Sequence, residues 1–264
     1  MNKNIFIEGL QGSGKTTLLR NLSQKYSEYQ AYYEGDISPV ELAWCSYMTK
    51  EEFEKVLAEY PHLTQEIRQN TKQEGEYYIT SYTRILAECR EFYERMEQHE
   101  IYNGRVSFER FHDIIMERYR RFVQENSNTG HIFECSFFQN SIESMMLFYQ
   151  MEEKQIADFY KEAYGILKPG GFLMFYLEPG NIRENILQIK KERSDEKGVE
   201  LWYPLMLNYL TESPYGKAHG YKDFEDMISH FERRCEIEAN IVENVLKTDC
   251  IKLQAKNYSP EELI

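Results

Sequence analysis

No stretch of this sequence is apolar for the roughly 18 residues that a membrane-spanning helix needs. The longest apolar run, Gly171–Leu177, has only the length of a strand. None of the five cysteines forms a C-x-x-C pair, and they are far apart at Cys45, Cys89, Cys135, Cys235 and Cys250. The N-terminus shows no signal-peptide pattern. We therefore expect a cytoplasmic protein with reduced thiols and no membrane partner.

Positive charge is also scarce, because 31 Lys+Arg face 44 Asp+Glu and the net charge is −13. Nucleic-acid-binding proteins usually carry a basic surface, so this composition disfavours a nucleic-acid partner. The Asn-Lys-x-Asp signature of guanine-specific GTPases is absent as well. A chain of 264 residues is long enough for one α/β domain, residues 1–264, with a helical insertion.

One motif near the N-terminus carries specific chemistry. Residues 9–16, Gly-Leu-Gln-Gly-Ser-Gly-Lys-Thr, fit G-x-x-x-x-G-K-[ST], the phosphate-binding loop. An apolar run, Asn4–Ile7, predicts a buried strand before it, and Thr17–Leu22 has helical spacing after it. Lys15 would place a cation on the β- and γ-phosphates of ATP, and the Thr16 hydroxyl would hold Mg²⁺. The predicted cofactor-binding residues in the loop are Gly9, Gly12, Ser13, Gly14, Lys15, Thr16 and Thr17.

Apolar runs along the chain predict parallel strands at Ile5–Ile7, Ile132–Cys135, Phe172–Leu177 and Cys250–Leu253, with a weaker one at Gln30–Glu34. Helical patterns separate these runs. We therefore expect the α/β class, with a three-layer, doubly wound sheet of about five parallel strands of the P-loop NTPase type.

A long interval separates the second and third predicted strands. Residues 39–130 are predicted to form a helical substrate-binding insertion, with helices at Glu51–Tyr60, Tyr78–Gln98 and Arg105–Glu125. Residues 181–220 are predicted to form a lid-like region, with helices at Asn181–Arg193 and Leu201–Leu210 and a loop at Gly216–Gly220. A final helix is predicted at Phe224–Leu246.

The segment Phe6–Gly9 leading into Gly12–Thr17 resembles the start of thymidylate kinases and deoxynucleoside kinases. The resemblance implies the P-loop nucleoside- and nucleotide-kinase fold, ATP and Mg²⁺ as cofactors, and transfer of the γ-phosphoryl group to a nucleoside or nucleoside monophosphate. An antibiotic, a sugar or another small-molecule acceptor stays open. The oligomeric state is open too, with a homodimer as one option.

The resemblance extends to a pair of acidic residues. In deoxynucleoside kinases an acidic residue after the second strand acts as the base near the substrate hydroxyl, and here Glu34 and Asp36 occupy that region. Pro39–Glu41 follows as in that family, but Ser38 stands where the family has a glutamate directly before the proline. Glu34 and Asp36 therefore stay rival candidates for the base. Ordinary turn chemistry at Gly35-Asp36 is the alternative interpretation.

Two later segments resemble the same family. His131–Ser136 is similar to its third strand, which implies that Glu134 acts on Mg²⁺ directly or through water, although Cys135 replaces an arginine. Phe175–Pro179 and the helix after it are similar to the strand-to-lid segment, in which arginines clamp the transferred phosphate. The resemblance assigns that role to Arg193, with Arg183 or Lys190 assisting. The alternative interpretation is a solvated helix face.

Two other functions stay open. A nucleotide-dependent ATPase switch with a protein partner would use the same loop, and the helical insertion could supply its partner surface. Gly165–Leu173 resembles a segment of S-adenosylmethionine-dependent methyltransferases, but a helix end and a tight turn before a buried strand would explain it equally. Lys15 and Thr16 have no role in such a methyltransferase, so we favour an ATP-dependent kinase.

Overall fold

The computed structural model describes residues 4–125 and 129–258. Their contacts group them into two compact units. The first unit contains the described residues of 1–31 and 123–264, and the second unit contains residues 32–122. The second unit covers most of the segment that the sequence analysis assigned to an insertion.

A five-stranded parallel sheet forms the centre of the first unit, which confirms the α/β class. Its strands are β1 (Asn4–Gly9), β2 (Gln30–Tyr32), β6 (His131–Glu134), β7 (Phe172–Glu178) and β8 (Cys250–Gln254), arranged in the order β2-β6-β1-β7-β8. All five predicted strands are present. The weak one, predicted for Gln30–Glu34, ends at Tyr32, so Glu34 lies beyond the strand.

Apolar side chains cover both faces of this sheet, which explains its near-continuous hydrophobic strands. Alternate residues of β1, Ile5 and Ile7, belong to a cluster that also contains Leu18 and Leu22 from the following helix. On the opposite face, the Phe6 ring stacks on Phe133 and Phe172, with ring centroids 5.0 and 4.7 Å apart. The two-residue alternation of β1 therefore builds both halves of the core.

The helices of the first unit are α1 (Lys15–Lys25), α6 (Gln139–Glu143), α7 (Glu153–Leu167), α8 (Ile182–Glu192), α9 (Trp202–Glu212), α10 (Pro214–His219) and α11 (Phe224–Ile241). Two π-helical turns extend α6 and α11, at Ser144–Phe148 and Val242–Leu246. Within the described ranges, no helix combines the length and the apolar character that crossing a bilayer requires.

The prediction of a loop at Gly216–Gly220 is wrong, because helix α10 covers most of this segment. The Ser213 hydroxyl caps this helix by accepting a hydrogen bond from the Gly216 amide, and Pro214 begins its first turn. Gly220, with φ of +70°, ends it in the left-handed conformation. The Ser-Pro start and Gly end are ordinary helix signals that act over a segment too short to show helical periodicity.

The second unit contains a three-stranded antiparallel sheet that the sequence analysis did not predict. Its strands are β3 (Ser46–Thr49), β4 (Thr71–Glu74) and β5 (Tyr77–Thr80), in the order β3-β5-β4. The helices are α2 (Lys50–Glu59), α3 (Thr64–Gln69), α4 (Arg90–Glu97) and α5 (Phe108–Glu125). The helices predicted near α2 and α5 are present.

The prediction of a single long helix over Tyr78–Gln98 is wrong. The first residues of this segment form β5, Tyr82–Arg84 form a single 3₁₀ turn, and the α-helix begins only at Arg90. Gly75, with φ of +62°, makes the tight turn that lets β4 and β5 pair. The Tyr-Tyr-Ile sequence of β5 consists of residues that favour strands, and its pairing with β3 and β4 outweighs the helical spacing.

Candidate phosphate-binding site

The predicted phosphate-binding loop connects β1 to α1 directly. Gly9 ends the strand with φ of +141°, and a Cβ at this position would lie 2.7 Å from the carbonyl oxygen of Leu177. Gly12 has φ of +70°. The glycine spacing of the motif therefore serves a sharply turned backbone that side chains would obstruct. The loop and the start of α1 have the local form that the sequence predicted.

The first turn of α1 is suited to an anion. Gly14, the residue before the helix, gives no side-chain cap, and the first turn contains no acidic residue. The Ser13 hydroxyl is buried and has no hydrogen-bond partner among the described residues. The leading amide groups of a helix need acceptors, and the helix dipole favours a negative one. A phosphate group would supply the acceptors that this turn and Ser13 lack.

The cation of the motif is held inside the loop. The Lys15 side chain is only 6% exposed, and its Nζ donates hydrogen bonds to the carbonyl oxygens of Gly9 at 2.8 Å and Leu10 at 2.9 Å. These two carbonyls keep the ammonium group at the loop. A phosphate bound at the α1 N-terminus would therefore meet a positive charge already positioned in a poorly solvated place.

Thr16 and Glu134, the two predicted Mg²⁺ ligands, come together although they are 118 residues apart in the chain. The Thr16 hydroxyl donates to Glu134 Oε1 at 2.5 Å. Strands β1 and β6 are parallel neighbours in which Ile7 pairs with Glu134, so the sheet register brings the end of β6 beside the loop. Hydroxyl and carboxylate oxygens are ligands that Mg²⁺ accepts.

The Thr16 hydroxyl and the Glu134 carboxylate suit Mg²⁺ better than a metal ion whose ligands all come from the protein. The described residues contain no group of three or more His, Cys, Asp or Glu side chains that could hold a metal ion. Mg²⁺ commonly binds through one or two protein ligands and completes its shell with water and substrate phosphates. Thr16 and Glu134 match that pattern.

The turn after Glu134 is fixed by a buried carboxyl group that the sequence analysis did not assign. Glu8 is fully buried in β1 and accepts a hydrogen bond from the Phe137 amide at 2.6 Å. Burial raises the pKa of Glu8 to about 7, although the hydrogen bond from Phe137 and the charge of Lys15 oppose this rise. The signal in the sequence was a single carboxyl residue in an otherwise apolar strand.

Cys135 occupies this turn in a left-handed conformation, with φ of +56°. Relatives implied by the resemblance often carry an arginine at this position. Here the buried Cys135 side chain lies near Gln139, with its Sγ 3.4 Å from Oε1. The position therefore supplies no cation for a phosphate.

The predicted lid helix α8 contacts the loop. The Asn185 side-chain amide donates to the carbonyl oxygen of Gln11 at 3.1 Å. A Cβ on Gly12 would lie 2.4 Å from Cγ1 of Ile189, so this isoleucine packs directly on the loop backbone. An amide and an apolar side chain of α8, rather than its predicted cations, make these loop contacts.

The predicted cations of α8 have other partners. Arg183 forms two hydrogen bonds with the Glu225 carboxylate, at 2.8 and 2.5 Å. Lys190 lies 3.2 Å from Glu200. Arg193 follows the last residue of α8, and its guanidinium carbon lies 5.8 Å from the centre of the Trp202 ring. Thr17, the last predicted loop residue, is exposed in the first turn of α1.

The rival base candidates, Glu34 and Asp36, lie in the second unit. Asp36 accepts a hydrogen bond from the Tyr33 amide at 2.9 Å and forms a salt bridge with Arg84. These contacts, with φ of +84° at Gly35, describe the turn that the alternative interpretation expected. Glu34 is exposed and accepts a hydrogen bond from the indole nitrogen of Trp44 at 3.2 Å.

A second buried ionic group of the first unit was also missed. Arg234 is fully buried, and its guanidinium donates to Glu238 at 2.7 Å and to Glu143 at 2.8 Å. His230 Nε2 lies 2.8 Å from the other Glu143 oxygen, and the Tyr176 hydroxyl donates to Glu238. Burial raises the pKa of Glu143, but His230 and Arg234 outweigh it and lower the pKa to about 2.

No known protein-family model matches this chain, and no functionally curated protein matches it in sequence. What the site can do is therefore argued from its motif and geometry alone. A helix start without a side-chain cap, a positioned ammonium group and a hydroxyl-carboxylate pair together suit a magnesium-bound nucleoside triphosphate.

Proposed function

We propose that this protein is an ATP-dependent phosphotransferase that moves the γ-phosphoryl group of ATP to a nucleoside or nucleoside monophosphate. The observation that carries the proposal is the 2.5 Å hydrogen bond between Thr16 and Glu134. It joins the last residue of the motif to the carboxyl end of a neighbouring parallel strand, where α/β sheets bind ligands. The finer fold assignment, a three-layer P-loop NTPase similar to nucleoside and nucleotide kinases, belongs to this proposal.

Each group of the site has a role in that reaction. The amides from Gly12 to Thr16 and the Lys15 ammonium would hold the ATP phosphates. Thr16 and Glu134 would hold Mg²⁺, which neutralises charge on the phosphates when bound. Transfer of a phosphoryl group requires mainly positioning and charge stabilisation, and these groups supply both.

At the acceptor end we propose Glu34 rather than Asp36 as the residue that orients the acceptor, or that deprotonates its hydroxyl when the acceptor is a nucleoside. The Asp36 carboxylate already serves the turn at Tyr33 and the ion pair with Arg84. A base must reach its substrate proton, and a carboxylate held by a turn and a guanidinium is poorly suited to that task. Arg193, with Arg183 or Lys190, would act on the transferred group after leaving the contacts described above.

We also propose a cytoplasmic location. None of the five cysteines, all of which lie in the described part of the chain, forms a disulfide. Burial raises the pKa of Cys45, Cys235 and Cys250 to about 12, which makes these thiols poor nucleophiles. Reduced thiols of this kind suit a reducing compartment.

The test is ATP turnover with Mg²⁺, measured alone and with a panel of nucleosides, nucleoside monophosphates, sugars and aminoglycosides. We expect one acceptor class to stimulate turnover and to appear as a phosphorylated product. Lys15→Ala should abolish that turnover, whereas Lys161→Ala, a change at an exposed lysine of α7, should not. Full activity of Lys15→Ala would reject the site.

The same assay separates the alternative functions. Steady ATP hydrolysis that no acceptor changes would favour the ATPase switch. The methyltransferase alternative rests on the segment that contains Lys168–Gly171, and the local backbone explains this segment without a cofactor. Residues Lys168–Gly170 form a single 3₁₀ turn after α7, and Gly171 leads into β7 with φ of +85°. The segment is therefore accounted for by chain reversal before a buried strand.

A further inference from the structure

A lysine to which the sequence analysis gave no role lies beside the phosphate-binding loop. Lys256 belongs to the tight turn that follows β8. The sheet register explains the position of this turn, because Gly9 at the end of β1 pairs with Leu177 of β7, and Leu177 pairs with Leu253 of β8. The loop and the turn therefore both follow the carboxyl ends of strands in one sheet, which is the edge where α/β sheets bind ligands.

The backbone of this turn is held in a defined conformation. The Ala255 amide donates to the carbonyl oxygen of Glu178 at 2.9 Å, and the Asn257 amide donates to that of Gln254 at 3.0 Å. Between them Lys256 has φ of +59°, a left-handed value that residues with a Cβ seldom adopt. These hydrogen bonds therefore fix the direction in which the Lys256 side chain leaves the backbone.

The Lys256 side chain lies against the loop at the start of α1. A Cβ built on Gly14 would lie 3.9 Å from Cγ of Lys256, which is ordinary van der Waals contact. Gly14 directly precedes the first turn of α1, which has no side-chain cap and no acidic residue. Only Cδ and Cε separate Cγ from the ammonium group of a lysine, and this stem is flexible. The ammonium group can therefore reach an anion bound at this helix start.

The partner of the Lys256 ammonium group is a carboxylate at the end of the lid-like helix α8. Lys256 Nζ lies 3.6 Å from Glu192 Oε1, and the two side chains are 42% and 49% exposed. The same oxygen accepts a shorter hydrogen bond, of 2.8 Å, from the Gln188 side chain. Exposed ion pairs of this kind contribute little free energy. A phosphate group, which carries more negative charge than a carboxylate, would compete with Glu192 for this cation.

The other predicted phosphate contacts leave a role for a further cation. Lys15 is held inside the loop by two carbonyl oxygens, and the buried Cys135 supplies no charge. Arg183 and Lys190 of α8 lie 2.8 and 3.2 Å from carboxylates outside the loop. A triphosphate carries several negative charges, and its reaction depends on cations that are already positioned beside them. Lys256 is positioned in this way by the turn after β8.

We propose that Lys256 is a second phosphate-binding cation of the loop, which exchanges Glu192 for the phosphates of a bound nucleoside triphosphate. The inference rests on the proposed function for the identity of the anion, and it adds a residue that neither the motif nor the resemblance indicates. Glu192 has the opposing role, because its carboxylate competes with the nucleotide for the same ammonium group. The two side chains should therefore change nucleotide affinity in opposite directions.

The test measures binding to the full-length chain by isothermal titration calorimetry with Mg²⁺. The ligands are ATP and inorganic tripolyphosphate, which has no base. We expect Lys256→Gln to weaken binding of both ligands about tenfold, the effect of losing one hydrogen bond to a charged group. Lys256→Arg keeps the charge and should restore most of the affinity. Lys168→Gln is the matched control, at a lysine before β7 with 60% of its side chain exposed, and should change neither affinity.

Glu192→Gln provides a readout that a merely structural ion pair would not give. Removal of the competing carboxylate should strengthen ATP binding about two- to fivefold, which is the free energy of an exposed ion pair expressed as affinity. This gain should be absent in the Lys256→Gln background. Glu153→Gln, at an exposed residue of α7, is the control for the loss of one negative charge.

Three results would overturn the role of Lys256: Lys256→Gln binds both ligands as tightly as the parent, it weakens ATP binding alone, or Glu192→Gln fails to strengthen ATP binding. Failure of the phosphotransferase proposal gives a different pattern. ATP binding that depends on Lys15 but not on Lys256 would reject the second cation alone. ATP binding that needs both lysines, in a chain that phosphorylates no acceptor, would support Lys256 and reject the proposed activity. A parent chain that binds neither ligand would reject both.

Discussion

The contact between Gly12 and Ile189 predicts a large cost for placing an alanine at Gly12. The new Cβ would lie 2.4 Å from Cγ1 and 2.7 Å from Cδ1 of Ile189, well inside van der Waals contact. Overpacking of this kind costs roughly 1–3 kcal/mol. The φ of +70° adds about 1–2 kcal/mol for any residue with a Cβ. We therefore expect Gly12→Ala to lower the free energy of unfolding of the first unit by about 2–5 kcal/mol.

Shortening Ile189 separates the two contributions. Ile189→Ala removes both clashing carbons, and on its own it should cost roughly 2–5 kcal/mol because Ile189 is buried. In the double variant Gly12→Ala/Ile189→Ala only the backbone contribution of the alanine remains. The double variant should therefore be more stable than the sum of the single costs predicts, by about 1–3 kcal/mol.

Urea unfolding followed by tryptophan fluorescence measures these costs. The chain has two tryptophans, so a Trp44→Phe background leaves Trp202 at the start of α9 as the reporter of the first unit. Gly165→Ala in α7 is the control, since no heavy atom lies within 4 Å of its Cβ and φ is not left-handed. We expect it to be neutral or slightly stabilising. Strictly additive costs, or a Gly12→Ala chain as stable as the parent, would refute the packing argument.

Three further predictions concern carboxylates of the first unit. Because His230 and Arg234 hold the pKa of Glu143 at about 2 despite its burial, its stabilising contribution should be present above pH 4.5 and be lost as the pH falls from 4.5 towards 2. Burial raises the pKa of Glu8 to about 7, so its contribution to stability depends on pH in the opposite direction. Stability should fall as the pH rises from 4.5 through 7, by about 3 kcal/mol in total. Glu134→Gln should weaken Mg²⁺-dependent ATP binding about tenfold or more, since the carboxylate proposed to hold the ion is replaced by a neutral amide.

Urea unfolding of the protein, followed by Trp202 fluorescence across this pH range, checks the predictions for Glu143 and Glu8. Glu143→Gln should reduce the loss of stability between pH 4.5 and 2. It should also lower the free energy of unfolding by about 3–5 kcal/mol at neutral pH, because it breaks a buried ion pair. Glu8→Gln should reduce the decline between pH 4.5 and 7, and an unchanged slope in either variant would contradict the assigned pKa. For Glu134, ATP binding is titrated with and without Mg²⁺. Glu153→Gln, at an exposed residue of α7, is the control, and equal weakening without Mg²⁺ would argue against a metal ligand.

The strand-loop-helix conformation around Gly9–Thr16 was predictable because all of its determinants are local. The apolar strand, the glycines that tolerate left-handed backbone and the helix start follow one another within about 20 residues. Their conformations do not depend on a distant partner. The four stronger strands were predictable for a similar reason, since a strand buried on both faces is marked by its own apolar run.

The second unit was harder to predict. The aromatic run at Tyr77–Ile79 is compatible with either a helix or a strand when it is read alone. Its pairing with β3 and β4 makes it a strand, and the partners in β3 lie 28 to 34 positions away in the sequence. The same pairing brings Tyr47 beside Tyr77, and helix α5 places Arg118 and Arg121 next to Glu74 of β4. No spacing within the sequence indicates this cluster of charged side chains.

The sequence by itself therefore determined the α/β class, the central strands and the loop from Gly9 to Thr16, because short-range backbone and burial constraints encode them. The tertiary structure alone decided which distant polar groups meet. Sheet register placed Glu134 within 2.5 Å of Thr16, and helix packing surrounded Arg234 and Arg118 with their carboxylates. Ionic and hydrogen-bonded contacts act over a few ångströms, and only the folded chain brings residues that are far apart in sequence within that distance.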